Sequence, residues 1–426
     1  MVNNYHKKIR REIDELPRSG IELVLHISNY YPNLSLGIGE PNFDTPPHIV
    51  EAAIQALEQG KTHYTPDEGL NELREAIAEK TRNENGFDPD PETEIVVTAG
   101  TSPALYGAVQ TVINSGDEVI IPTPAYFSYD SIVRIFGGKP VHVPGVEDSS
   151  FIPNQNDLAE AITSKTKLIV ICTPNNPTGG VWEKQQLRAA LDLAEDHDLL
   201  ILADELYEKL VYDGVSNFSV ASLPNAHERT ITINGLSKSH AMTGFRIGWI
   251  IAPSTILTSF SRIHEHSTIC ASAISQEAAL AALRGSQESV VEMVKEYDRR
   301  RKKMIESINK DLPMMQAKAP RGGFFVFTNV KELIESRLEE MKRSLKDEGR
   351  NLLDSMPSRL FSSKDLDVSG SLVSMLYLAH FARIMGVCGS FFGPGGEGYL
   401  RLSFAQDYDQ IETALERMAE TLNKIA

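Results

Sequence analysis

From Glu94 to Ala252 the chain alternates short apolar runs with segments of helical spacing, and this alternation narrows the possible folds more than any other feature. EIVVTAG, DEVIIPTPAY, KPVHVPG, KLIVICTPNNPTG, LLILADELY and TITINGLSK each carry a β-branched or leucine-rich run. Unbroken apolar runs suit strands covered on both faces, and strands alternating with helices lie parallel in one sheet. The expected class is therefore α/β with a mostly parallel sheet between helices. Several runs end in polar clusters: TAG-TS, TPAYF, TPNNPTG, ADELY and LSK. Ligands of open α/β sheets bind at the carboxyl ends of the strands, so one sheet edge is expected to gather the chemistry.

The flanks read differently. LSLGIGEPNFDTPP holds a short strand and glycines 37 and 39, and helical spacing follows from His48 to Glu58 and through Leu70, Leu73 and Ile77. Beyond Pro253 the chain turns helical, with an alanine-rich segment from Ser275 to Leu283 and a long charged helix from Gln287 to Ile308. RGGFFVFTNV opens a smaller domain that closes with the strand GYLRLSFA and a helix from Asp409 to Ile425. The expected boundaries are an arm at 1–35, a large domain at 36–285 and a small one at 286–426. A helical insertion is expected at 331–378. Within it, KELIESRLEEMKRSLKDEGRNLLDSM reads as one amphipathic helix with Leu333, Leu338, Met341 and Leu345 on one face, a surface helix rather than a lid or partner surface.

Composition serves mainly to exclude. A net charge of −16 over 426 residues argues against nucleic acid as a partner, though a local basic pocket would still hold a small anion. Cys172, Cys270 and Cys388 are scattered without metal-ligand spacing, as in a reducing compartment. No apolar run approaches the ~20 residues needed to span a bilayer. The opening MVNNYHKKIRREIDEL is charged, unlike a secretory leader, so the expected location is cytoplasmic.

Residues 231–252, ITINGLSKSHAMTGFRIGWIIA, place Lys238 between two strand-like runs. Lysines in such turns are mostly solvated, but here Ser237 and Arg246 stand close among glycines. A hydroxyl and a guanidinium suit a phosphate, and an amine beside them suits a phosphorylated aldehyde held as a Schiff base. Asp204 ends an apolar run, where a carboxylate needs a partner or caps a turn. Tyr126 and Tyr207 read equally as packing aromatics, and Asn176 as a turn former before proline. Gly100, Thr101 and Ser102 open a helix, with Thr101 or Ser102 as its N-cap, where the dipole favours anions. Arg401 lies in an apolar strand; buried, it needs an anion, and on a surface strand it needs none.

SKSHAMTGFRIGW resembles the lysine motif of the class I/II aminotransferases, pyridoxal-phosphate (PLP) enzymes of fold type I related to aspartate and alanine aminotransferases. The resemblance runs in order over roughly residues 20 to 410. It implies a seven-stranded sheet in the large domain and a smaller α+β domain, with Lys238 as the Schiff-base lysine. Ser237, Arg246, Gly100, Thr101 and Ser102 would then hold the cofactor phosphate. Asp204 would face the pyridine nitrogen, Asn176 and Tyr207 the ring 3′-oxygen, and Tyr126 the ring face. Arg401, Asn176 and Gly39 would receive the substrate. Tyr64 would reach the phosphate of the other subunit, which implies a homodimer.

The implied activity is amino transfer between an L-amino acid and a 2-oxo acid, with glutamate and 2-oxoglutarate as one pair. A lyase on the same scaffold would use the same residues, and a non-catalytic PLP-binding regulator would want a DNA-binding domain ahead of GIGEP. Two stretches depart from the family pattern: the insertion, and GVCGSFFGPGGEGY, which lacks the usual Val-Pro-Gly. No second cation for a dicarboxylate is evident, because Ser102 stands where some relatives carry lysine. Arg262, His264 and His266 are candidates by neighbourhood alone.

Overall fold

The computed structural model describes residues 8–16, 20–30 and 34–426; residues 1–7 of the charged arm lie outside the described residues. The strands are β1 (Leu34–Ser35), β2 (Ile95–Thr98), β3 (Glu118–Thr123), β4 (Lys139–Pro144), β5 (Thr166–Cys172) and β6 (Leu200–Asp204). They continue with β7 (Thr230–Gly235), β8 (Gly248–Ile251), β9 (Phe325–Asn329), β10 (Ile384–Met385), β11 (Val387–Cys388) and β12 (Tyr399–Ser403). Seven of them form one sheet in the order β2-β8-β7-β6-β5-β3-β4. Only β8 runs antiparallel to its neighbours, so the sheet is mostly parallel, as the alternation implied.

The period-2 alternation of each run assigns its side chains to the two faces. On β5, Leu168, Val170 and Cys172 join a core with Ala104, Leu105 and Ala108 of the helix Thr101–Val112. Ile169 and Ile171 point the other way, into a core with Leu187, Ala190 and Leu191 of the helix Lys184–Asp196. Each such side chain taken from water contributes about 1.5–3 kcal/mol, which is why strands apolar on both faces need helices above and below. The register then places Cys172 opposite Asp204, and Asp204 opposite Ile233, at the carboxyl edge.

A second sheet, in the order β11-β12-β9, is antiparallel and packs with the C-terminal helices in a separate apolar cluster. The helix Gly20–Tyr30 adds Leu23, Val24 and Ile27 to that cluster, and β1 pairs with β10. The 331–356 stretch is two helices, Lys331–Asp347 and Arg350–Ser355, rather than one. Gly349, a poor helix former, sits at the break. Leu333, Met341 and Leu345 are buried and Leu338 partly so, covering the small-sheet core. Among the described residues no helix is long and apolar enough to cross a membrane, and no His/Cys/Asp/Glu group could hold a metal.

Candidate active site

Three chain segments meet where glycines permit close approach. Gly235 and Gly248 face each other across β7 and β8, and a Cβ on Gly248 would stand 2.9 Å from the Gly100 carbonyl carbon and the Thr101 nitrogen. The missing side chain therefore lets the turn after β2 lie directly on the lysine hairpin. Gly100 has φ +92° and a Cβ there would sit 2.5 Å from Arg246 Nη2, so the guanidinium rests on bare backbone. Gly100, not Thr101 or Ser102, is the N-cap, because the tight exit from β2 needs a left-handed residue. No side chain caps the helix, and its first residues, Thr101 and Ser102, line the same cleft as Arg246 and Ser237. An uncapped helix start, a hydroxyl and a guanidinium together match a phosphate monoester.

Lys238 projects from this hairpin and its Nζ donates to the Gly39 carbonyl at 2.7 Å. Burial lowers its pKa to about 8; Arg401 and Arg246 push the same way, while Glu40 and Asp204 oppose them. An amine with that pKa is partly unprotonated near neutrality, as a nucleophile or base requires.

Asp204, at the end of β6, accepts from Tyr129 Oη at 2.7 Å and from the Leu206 N–H at 3.3 Å. Burial holds its pKa above the usual carboxylate value, although Tyr129, Leu206 and Lys238 favour the charged form. Sequence reasoning misses Tyr129; its only signal there is its position in PTPAYFSY, three residues after Tyr126. The two rings stand edge to face, 5.7 Å apart. Tyr207 is buried against Phe324, and burial pushes its phenol pKa upward.

Arg401 is only 3% exposed and pairs with no carboxylate among the described residues. It donates to Asn176 Oδ1 at 2.8 Å and to the Gly37 carbonyl at 2.7 Å, while its Nε has no partner. Phe325 and Phe392 flank the guanidinium at 4.2 and 5.0 Å from the ring centroids. Phe392 belongs to the stretch GVCGSFFGPGGEGY, so the altered loop still closes against this arginine. Burial lowers the arginine's pKa to about 10. A cation this buried, with only neutral acceptors beside it, has the chemistry to receive an anion.

One cleft of about 280 Å³ unites these groups. Lys238, Ser237, Arg246 and Asp204 line it, with Thr101 and Ser102 beside them. Tyr126, Tyr207, Asn176, Arg401 and Gly39 also line it. Gly100 lies beneath Arg246. Tyr64 stands apart from the cleft of its own chain and is 80% exposed. Arg262, His264 and His266 are also absent from the lining; His264 is buried and stacked on Phe260. The residues present thus fit pyridoxal phosphate: an anion cradle, an amine of lowered pKa, and a half-buried carboxylate for the ring nitrogen.

The family profile for aminotransferase class I and II matches residues 32–418. An aromatic-amino-acid aminotransferase of Thermococcus litoralis is 41% identical over 394 residues, covering 92% of each chain. An aspartate aminotransferase of Pyrococcus abyssi is also 41% identical, with 92% of each chain covered. The crystal structure of an aromatic aminotransferase from Pyrococcus horikoshii superposes with a TM-score of 0.82 at 38% identity, covering 95% of this chain and 99% of that one. The chain therefore belongs to the class I and II aminotransferases, enzymes of fold type I that depend on pyridoxal phosphate.

Proposed function

We propose that the protein moves an amino group between an L-amino acid and a 2-oxo acid through a covalent bond between Lys238 Nζ and the cofactor's aldehyde carbon. The carrying observation is Arg401, buried without a carboxylate in the same cleft as that amine. When bound, pyridoxal phosphate acts as an electron sink for the substrate's Cα and stores the amino group between half-reactions.

The residues divide the work. The helix start at Gly100–Ser102, with Ser237 and Arg246, holds the phosphate. Asp204 keeps the pyridine nitrogen protonated, Asn176 and Tyr207 face the 3′-oxygen, and Tyr126 covers the ring. Arg401 clamps the α-carboxylate, with Asn176 and the Gly39 backbone beside it. Lys238 Nζ, freed by the incoming amine, would take the proton from Cα and deliver it to the cofactor's former aldehyde carbon, two atoms away across the shared nitrogen. Glutamate and 2-oxoglutarate form one substrate pair, as the motif resemblance implies.

Two copies share the sites in this reading. Val50, Ile54 and Leu57 form an exposed apolar stripe on the helix Pro47–Glu58, and exposed Tyr64 follows it. A stripe left bare on one copy supports burial against a second. Tyr64 of each copy then reaches the phosphate held by the other. The domain division follows the site, with the cradle in 36–285 and Arg401 in 286–426.

The test is a half-reaction screen: amino acids are added singly to the holoenzyme while the visible absorbance of the bound cofactor is followed. Loss of the band, regained with 2-oxoglutarate, is expected. Retention of band or turnover by Lys238→Ala would contradict the assignment.

A further inference from the structure

The strand that carries Arg401 is gripped from outside the cleft. In the register of β9 and β12, Phe327 stands opposite Arg401 and Asn329 opposite Tyr399. Side chains two positions apart share a face, so all four project from the same side of the small sheet. That side meets the turn Glu147–Ser149, which follows β4, and Phe151 just beyond it. Glu147 Oε2 accepts from Tyr399 Oη at 2.9 Å and from Asn329 Nδ2 at 3.0 Å, so one oxygen ties both strands to the edge of the large sheet. Burial and then the bond to Glu147 push the Tyr399 phenol pKa upward, which keeps its hydroxyl a donor. Phe151 is buried and sets its ring edge against Phe327 at 5.3 Å and against Tyr399 at 5.2 Å. Ser150 and Phe151 hold φ of +54° and +61°, a left-handed backbone that costs residues other than glycine. Such strain persists only where surrounding contacts over-determine it, and it gathers near functional sites.

We propose that Glu147 is a positioning residue for Arg401, fixing through Tyr399 and Asn329 where β12 presents the guanidinium to a substrate carboxylate. The inference rests on Arg401 as the α-carboxylate clamp. Tyr399 precedes Arg401 by two residues, about 7 Å along a hydrogen-bonded strand, so a shift at one passes to the other. A fork that meets Asn176, Gly37 and a carboxylate at once tolerates little displacement. Phe151 packs beside the stacked rings of Phe327 and Tyr399 and holds the same face in a second direction. The neighbouring pair Lys318–Asp148, at 2.5 Å, joins the same two regions, but both side chains are exposed and such pairs contribute little.

The experiment uses holoenzyme, the amino acid that bleaches the visible band fastest, and the reverse half-reaction with its 2-oxo acid. Dissociation constant and limiting rate constant are read separately. Glu147→Ala and Tyr399→Phe should each raise both dissociation constants by about tenfold, short of the hundredfold that a misplacement of about 1 Å can cost. Limiting rate constants and the visible band should stay unchanged. The double variant should be no worse than Glu147→Ala, because both changes break the same tie. Asp148→Asn, which removes only the exposed pair, should change nothing. Glu147 is partly exposed and Tyr399→Phe keeps the ring stack, so both variants are expected to fold. Unchanged dissociation constants in Glu147→Ala, or equal losses in Asp148→Asn, overturn the proposal. So do parallel losses of rate constant and cofactor absorbance, which mark a general loosening of the fold. If Arg401→Lys weakens both substrates while Glu147→Ala does not, the brace fails and the clamp stands. If Arg401→Lys also leaves them unchanged, the clamp fails and takes the brace with it.

Discussion

Tyr129 Oη lies 2.7 Å from Asp204 Oδ2, a hydrogen bond between residues 75 positions apart in the chain. It is the contact that most favours the ionised form of this half-buried carboxylate. A bond to a charged acceptor contributes about 1.5–3 kcal/mol. Tyr129→Phe should therefore weaken cofactor binding roughly ten- to hundredfold, measured by titrating apoenzyme with pyridoxal phosphate. The sign of the pH effect follows. Asp204 already titrates above the usual carboxylate value, and losing a donor to its charged form raises it further. The acid limb of activity should move to higher pH in the variant.

Lys238 offers a stability prediction for the apoenzyme. Its pKa falls from 10.5 to about 8 on folding, so between those values the unfolded chain binds more protons than the folded one. Stability then rises with pH across that window. Below it the folded protein carries a desolvated ammonium at full cost, on the order of 2 kcal/mol once partial exposure is allowed for. Lys238→Met should be more stable than the unaltered apoenzyme at pH 7 by that order, and the gain should shrink between pH 8 and 10.5. Denaturant melts at several pH values would show it.

Arg401→Lys keeps the charge and removes the fork. The lysine cannot meet Asn176, Gly37 and a carboxylate together, and loss of one partner from a buried charged pair costs about 2–5 kcal/mol. kcat/KM should fall roughly 10²–10³-fold for every amino acid tested. Cofactor absorbance should stay unchanged, because Arg401 does not touch the phosphate cradle.

Gly100→Ala tests the seat of Arg246. The new methyl needs both a φ of +92° and the space the guanidinium occupies. Strain of about 1–3 kcal/mol should lower Tm by several degrees. Faster loss of cofactor on gel filtration should accompany it.

Ile54→Asp charges the centre of the exposed stripe. Sedimentation should show a shift from dimer to monomer, and activity should fall with the dimer fraction. An unaltered enzyme that sediments as a monomer would remove the shared-site reading.

Much of this was legible along the chain because it depends on neighbours in sequence. The six apolar runs specify buried strands by their own periodicity. The rule that ligands sit at strand carboxyl ends points to TPNNPTG, ADELY and LSK without coordinates, and the motif resemblance picks Asn176, Asp204 and Lys238 within them. Ser237, Lys238 and Arg246 lie within one hairpin, so their joint purpose is readable there. Where an element ends was less legible. Thr101 and Ser102 are good caps by residue type, yet Gly100 takes the position because only it tolerates the backbone the turn demands. Gly349 divides a charged stretch whose apolar spacing reads as continuous.

The order of strands and helices, the edge that carries the chemistry and the amine at its centre were thus determined by the sequence alone, through local periodicity and residue type. Tertiary structure alone decided which distant groups meet. Tyr129 reaches Asp204, Arg401 spans Asn176 and Gly37, and Ile21 enters the wall of the cleft. Those pairings depend on how helices and a second sheet pack over the first, and packing is a property of side-chain shape in three dimensions that spacing along the chain does not encode.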